Sequence, residues 1–307
     1  MKIPQLSILI FSFNQEQYIR QTIESILTQE SDYSWELIIC DDASFDSTPE
    51  IIKEYALENT NIIPVLRKKN IGLIKNYYDG ISRARGEYVM VCAGDDYWAA
   101  GKIQCQIDYL QKNKNVGLVY GDIIKKRSDG ETIKSGKYDN TFMTLIKNNH
   151  IPALTICFRN SLIKEYLSEV NPRSKGWLME DYPFMLWLSI KSKIEYIPQI
   201  FGNYRVLDNS ASHQTDKIKY LKFQKSILEI RLFFLDKYMP YETKIISQIY
   251  FYYKIIGVYL KDESDKELLR DCNFRISFLH EIMIRLISKF PNLINPIMDY
   301  KIKSSIG

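Results

Sequence analysis

The chain is short of glycine where glycine would matter most. Of its 13 glycines in 307 residues, none falls in the first strand-to-helix turn, "FSFNQEQ" at 11–17. That turn has no G-x-G-x-x-G pattern, and no G-x-x-x-x-G-K-[ST] loop occurs anywhere. A phosphate bound here must be held by side chains or a cation, not by a glycine cradle. Cysteine and histidine are equally scarce. The five cysteines form no C-x-x-C pair and there are three histidines, which excludes an ordinary zinc site and points to reduced thiols in the cytoplasm. No apolar run reaches the roughly 18 residues of a spanning helix, and "MKIPQLSILIF" enters a strand-like segment without a cleavage site, so no signal peptide is expected. The net charge of +4 leaves no footprint for a nucleic-acid partner.

What is present is an ordinary globular composition, 46% hydrophobic and 25% charged, long enough for one large domain with an appendage. "LSILIF" (6–11), "WELIIC" (35–40), "IIPVL" (62–66), "EYVMVC" (87–92) and "GLVYGD" (117–122) are short, β-branched and aromatic runs that read as strands. Amphipathic stretches at 15–29, from 46, at 73–83 and at 100–113 read as helices; in "DSTPE", Ser47 or Thr48 suits the cap and Pro49 the first turn. This alternation predicts an α/β fold with a mostly parallel sheet and helices on both faces. Further on, 177–190 reads as a helix and "EYIPQIF" as a strand, and from 217 the pattern is nearly all helical. The expected organisation is an alternating strand–helix part at 1–125, a mixed part at 126–216 and a helical C-terminal region at 217–307.

The chemistry collects at strand ends. The first strand closes on "FSFN" (11–14), the second on "CDDAS" (40–44) and the fourth on "AGDDYW" (93–98). Adjacent carboxylates repel, and burying them is costly without a counter-charge. One aspartate is enough to cap a helix, so two Asp-Asp pairs at neighbouring strand ends point to a polar or cation site. Oxygen ligands favour a hard ion, Mg²⁺ or Mn²⁺, shared with substrate phosphates.

These segments in order resemble the nucleotide-binding half of a GT-A-fold, family 2 glycosyltransferase. "LSILIFSFNQEQYIRQTIESILTQ", "ELIICDDASFDST" and "NIGLIKNYYDGISRARGEYVMVCAGDDYW" carry the likeness, and "KNVGLVYGD", "EDYPFMLWLSI" and "YRVLDNSASH" extend it to about two-thirds of the chain. The resemblance implies that Asp42 accepts from a uracil-like base whose pocket Phe11 and Phe13 line, with Asn14 beside them. Asn70 and Gly72 shape the pocket, Lys75 reaches a phosphate, and Arg205 binds the diphosphate. Asp95 contacts the ribose and Asp96 the divalent ion, with Asp95 as a second candidate ligand. Asp181, with Glu180 beside it, is the implied general base. Many relatives have a histidine where this chain has Leu207, and His213 is the candidate replacement.

The expectation is an inverting, metal-dependent transferase moving a sugar from a UDP-sugar to a glycan or polyprenol-linked acceptor. A dTDP- or GDP-sugar donor, or a non-catalytic binding module, is the alternative. Residues 217–307 carry 16 Lys+Arg against 10 Asp+Glu, a net of +6, while the rest nets −2. With its aromatics, that tail suits either peripheral contact with the inner face of the cell membrane or a helical bundle and homodimer surface.

Overall fold

The computed structural model of the chain describes residues 3–127, 129–134, 136–207 and 216–260, together with 282, 283, 285, 286 and 289. His213, and most of the tail beyond 260, lie outside the described residues. Two compact units divide the chain: 1–174 with 180–206, and 175–179 with 207–307.

The first unit begins with three strand–helix steps and a fourth strand: β1 (Leu6–Ser12), α1 (Ile19–Leu27), β2 (Trp35–Asp41), α2 (Thr48–Glu58), β3 (Ile62–Leu66), α3 (Leu73–Arg83) and β4 (Tyr88–Ala93). β1 is buried at all seven positions and β2 at six. Such continuous apolar runs are what a strand covered on both faces requires. β1 pairs in parallel with β2 and β4, and β2 with β3. The register sets Ser12 opposite Asp41 and Phe11 opposite Ala93. All three strand ends therefore meet at one edge, where the strand order turns back at β1, the usual place for a ligand crevice.

The remaining elements are β5 (Tyr97–Trp98), α4 (Lys102–Lys112), β6 (Val116–Arg127), β7 (Gly130–Lys134), α5 (Phe142–Lys147), β8 (Cys157–Arg159), α6 (Asn160–Val170), α7 (Tyr182–Lys191) and β9 (Lys193–Arg205). The sheet runs β3-β2-β1-β4-β8-β6-β9-β5, with β7 paired to β6. β8 joins β4 and β6 antiparallel, and β9 runs parallel to β6. The parallel half is as the alternation predicts, whereas the second half is mixed. Its short strands carry too few residues for a periodicity to show.

Two local expectations need correction. The helix read at 177–190 starts at Tyr182: Pro183 sits in its first turn, and the Asp181 carboxylate accepts the Tyr182 N–H at 2.7 Å. Trp177 instead belongs to the second unit. At α2 neither Ser47 nor Thr48 caps through its side chain; Asp46 does, accepting the Thr48 N–H at 3.0 Å.

The second unit holds α8 (Lys217–Tyr238) and α9 (Thr243–Leu260). Asp216 caps α8 by accepting the N–H groups of Ile218 and Lys219. Leu221 and Ile256 form the centre of its apolar cluster, and Trp177 packs on Phe233 with centroids 5.3 Å apart. Among the described residues, no helix is long and apolar enough to cross a membrane.

Candidate active site

The glycine-free first turn closes by using an asparagine. Asn14 adopts φ +54°, a left-handed conformation that Asn tolerates better than most residues. Its N–H donates to Ser44 Oγ at 2.8 Å, and its Oδ1 accepts the Phe45 N–H at 3.1 Å. These bonds stitch the end of β1 to the acidic turn after β2, where Ala43 is also left-handed at φ +61°.

The two aspartates of that turn do different work. Asp41 is buried and accepts from Ser12 Oγ, Ser44 Oγ and the Ser44 N–H at 3.0, 2.5 and 3.0 Å. It holds the turn. Asp42 is also buried, and its two oxygens accept the N–H groups of Ile71 and Gly72, each at 2.8 Å. Asn70 adds a bond to the Asp42 carbonyl at 3.0 Å and accepts from Gly72 N–H at 3.1 Å. Asp42 thus anchors the loop leading into α3 while keeping acceptor capacity, since a carboxylate offers about four lone-pair sites. Gly72, at φ +86°, takes a conformation that only glycine adopts without strain. Lys75 is exposed on the first turn of α3.

Phe11 is buried against Tyr77, with centroids 4.8 Å apart. Phe13 is 44% exposed and meets Phe45, 85% exposed, edge-on at 6.0 Å. An exposed aromatic pair beside this loop is a ready surface for a planar base. Phe45 was not singled out from the sequence, because a lone Phe in a polar turn gives no periodic signal.

The second acidic turn follows β4. Thr22 on α1 donates to the carbonyls of Gly94 and Asp96 at 2.8 and 2.6 Å, fixing the turn from below. Asp96 is only 3% exposed, and its Oδ1 accepts the Arg205 backbone N–H at 2.9 Å. Burial first, and then the charge of Asp95, push the Asp96 carboxyl well above its usual range, with Arg205 opposing. Asp95 is raised too, again mainly by burial. The Arg205 guanidinium donates to the Asp95 carbonyl and to Gln21 Oε1 and lies over the rings of Tyr18 and Tyr97, 5.0 and 4.7 Å from their centroids. The fold thus brings Arg205, the residue expected at the diphosphate, to the acidic turn. Gln21, Tyr18 and Tyr97, which position it, were not legible beforehand.

Among the described residues no three His, Cys, Asp or Glu side chains converge as a self-sufficient metal cluster. What the second acidic turn offers is a pair of adjacent carboxyls whose ionised form burial disfavours unless a cation is present. That fits a hard divalent ion whose remaining ligands come from substrate phosphates and water.

Glu180 and Asp181 lie just ahead of α7, both partly buried. Burial raises both carboxyls, and the charge of Asp181 raises Glu180 further. The Glu180 carbonyl accepts from Tyr78 Oη at 3.2 Å, which ties this segment to α3. Leu207 falls at the junction with the second unit.

The sequence profile of glycosyl transferase family 2 matches residues 7–169. The chain belongs to this family. An Escherichia coli family relative, named UDP-Glc:α-D-GlcNAc-diphosphoundecaprenol β-1,3-glucosyltransferase WfgD, is 32% identical over 231 residues, covering 73% of this chain and 85% of its own. Uncharacterized proteins of Mycobacterium bovis and Mycobacterium tuberculosis are 35% identical over 161 residues, 50% of this chain and 46% of theirs. The family 2 chain thus spans about half the length of these curated relatives. Among solved structures, S. aureus TarS 1–349 in complex with UDP-GlcNAc shares the fold at a TM-score of 0.58 with 17% identity, over 86% of this chain and 77% of that one. The mannosyltransferase PcManGT from Pyrobaculum calidifontis, in complex with GDP-Man and Mn²⁺, does so at 0.54 with 14% identity, over 99% and 86%. The architecture of this family 2 chain is the GT-A glycosyltransferase fold.

Proposed function

We propose that the chain is an inverting, metal-dependent glycosyltransferase that moves a sugar from a UDP-sugar to a hydroxyl of a glycan or polyprenol-linked acceptor in polysaccharide biosynthesis. The observation that carries this reading is the gathering of Asp42, the Phe13–Phe45 pair and the Asp95–Asp96 turn at one sheet edge, with Arg205 drawn to the same turn. The donor named for the Escherichia coli relative and the UDP-GlcNAc in the TarS structure support uridine as the base. The diphosphoundecaprenol acceptor in the same name supports a lipid-linked acceptor. GDP-Man in the archaeal structure keeps a GDP-sugar as the second reading.

Residue roles follow from chemistry. Asp42 accepts from the base while holding the 70–72 loop, Phe11 and Phe13 wall the base, and Asn14, Asn70 and Lys75 border the same recess. Asp95 and Asp96 would hold Mn²⁺ or Mg²⁺, which supplies neutralising charge for the departing diphosphate. Arg205 adds a fixed positive charge beside that diphosphate. Asp181 takes the proton of the acceptor hydroxyl, and its raised carboxyl makes it a stronger base than a surface aspartate. With one base facing the leaving group, displacement is direct and the anomeric configuration inverts. Residues 126–216 furnish the acceptor side, and the basic tail makes peripheral contact with an anionic membrane at the cytoplasmic face.

The test is a screen of acceptor-free hydrolysis over UDP-, dTDP- and GDP-sugars with Mn²⁺ or Mg²⁺. Metal-stimulated hydrolysis of a UDP-sugar is expected. Nucleotide binding without turnover of any sugar nucleotide, with or without an acceptor lipid, would instead identify a binding module.

A further inference from the structure

Tyr77 on α3 is a polar group with no assigned work. It is 3% exposed, and its hydroxyl has no hydrogen-bond partner among the described residues. Its ring lies 4.8 Å from Phe11, on the donor side of the site, and 5.3 Å from Tyr78, at 84° to it. Tyr78 in turn bonds the Glu180 carbonyl. The chain thus carries an unpaired phenol beside Phe11 and next to Tyr78, which bonds the segment holding Glu180 and Asp181. A buried hydroxyl left without a partner destabilises a fold, so one kept at such a position needs a compensating use. Burial, then the nearby charges of Glu180, Tyr78 and Asp181, keep this phenol protonated far above neutral pH, so it can act as a standing donor.

We infer that Tyr77 is a substrate-positioning residue whose hydroxyl donates a hydrogen bond to a sugar hydroxyl held between it and the Glu180–Asp181 carboxyls. A sugar hydroxyl suits this place because it accepts from the phenol and donates to a carboxylate at once. The inference rests on the glycosyl-transfer reading of the site. The hydroxyl has two sources, the transferred sugar or the acceptor sugar, and both present the same chemistry.

The experiment uses Tyr77→Phe in the full chain, which keeps the ring and removes only the hydroxyl. Three readouts decide it: the thermal midpoint of the free protein, the affinity of the best nucleotide sugar relative to its nucleoside diphosphate, and KM for a GlcNAc-diphosphate alkyl lipid. The midpoint should hold or rise, because no native bond is lost. A transferred-sugar contact shows as a roughly tenfold loss of the affinity gained from the sugar, with the diphosphate unaffected. An acceptor contact shows as a similar rise in KM for the lipid, with donor affinity unchanged. A lowered midpoint, with or without weaker binding, gives the hydroxyl a partner within the protein and overturns the inference. So does a variant unchanged in both substrate readouts. A wild-type chain that turns over no sugar nucleotide refutes the functional reading and this inference together, whereas an active wild type with an unaffected variant refutes the inference alone.

Discussion

Lys102 carries a prediction that can be worked through in numbers. It stands in the first turn of α4, close behind the Asp95–Asp96 turn, and is completely buried. Its ammonium donates to Gln106 Oε1 at 2.6 Å and to the Ile156 carbonyl at 3.3 Å, and lies 5.0 and 5.6 Å from the ring centroids of Trp98 and Phe201. No carboxylate pairs with it in these contacts, and burial lowers its pKa from 10.5 to about 7. The unfolded chain therefore binds one more proton than the folded one between about pH 7 and 10.5, and stability rises with pH across that window. The slope approaches about 1.4 kcal/mol per pH unit. From pH 7 to 8.5 that amounts to about 2 kcal/mol at most, or roughly 4–8 °C in midpoint for a domain of this size. The raised carboxyls of Glu180, Asp181, Asp95 and Asp96 act in the opposite direction, adding stability at low pH that is lost as pH rises through their folded values. The informative quantity is thus the difference between wild type and Lys102→Met, in which those contributions cancel. Methionine leaves the Gln106 and Ile156 oxygens without a donor, at about 1–3 kcal/mol each. The variant should accordingly be less disadvantaged at pH 6.5 than at pH 8.5. Calorimetric midpoints at pH 6.5, 7, 7.5, 8 and 8.5 measure this. Parallel curves for the two proteins would show that Lys102 is charged throughout and refute the reasoning.

Three further outcomes follow from the proposed site. Asp181→Asn should leave nucleotide-sugar affinity nearly intact while kcat falls by roughly 10²–10⁴-fold; and because burial raises the Asp181 carboxyl, the acid limb of the wild-type kcat profile should lie above the ordinary aspartate value of about 4. An unchanged kcat with weakened donor binding moves Asp181 away from the acceptor hydroxyl. Asp96→Ala should abolish the stimulation of UDP binding by Mn²⁺ in titration calorimetry, and retained stimulation assigns the ion elsewhere. For the basic tail, flotation with anionic vesicles at low salt should recover the protein and high salt should release it, each Lys or Arg near the surface contributing about 1 kcal/mol. Failure to float at low salt leaves the tail to helix packing or to a dimer contact.

The parts of the fold that could be read in advance are those where burial repeats along the chain. β1, β2 and β4 stand out because nearly every residue of a two-face-covered strand is buried and most are apolar, and the carboxyl ends of β2 and β4 stand out because the apolar run stops on aspartate. β5 and β8 are two and three residues long, so no pattern accumulates, and only their partners hold them in the sheet. The helix at 177–190 was misread at its start because Trp177 and Leu178 continue the apolar texture of 182–188 backward. Backbone chemistry overrides that texture: Pro183 suits only a first turn, and Asp181 is the side chain that satisfies an N–H there.

The same distinction runs through the site. A pair of letters, Asp-Asp, announces charge but not its distribution; only the serines at 12 and 44 and the N–H groups of Ile71 and Gly72 reveal that Asp41 secures a turn while Asp42 anchors a loop. Tyr77 marks the far end of this scale. In sequence it is one more apolar-face residue of an amphipathic helix, spaced from Tyr78 and Ile81 as packing demands. Whether its hydroxyl is paired depends on atoms contributed by β1 and by the segment ahead of α7, a hundred residues away in the chain. A hydroxyl that finds no partner among the described residues is a property of the assembled fold, and that is why nothing in the pattern of α3 marks Tyr77.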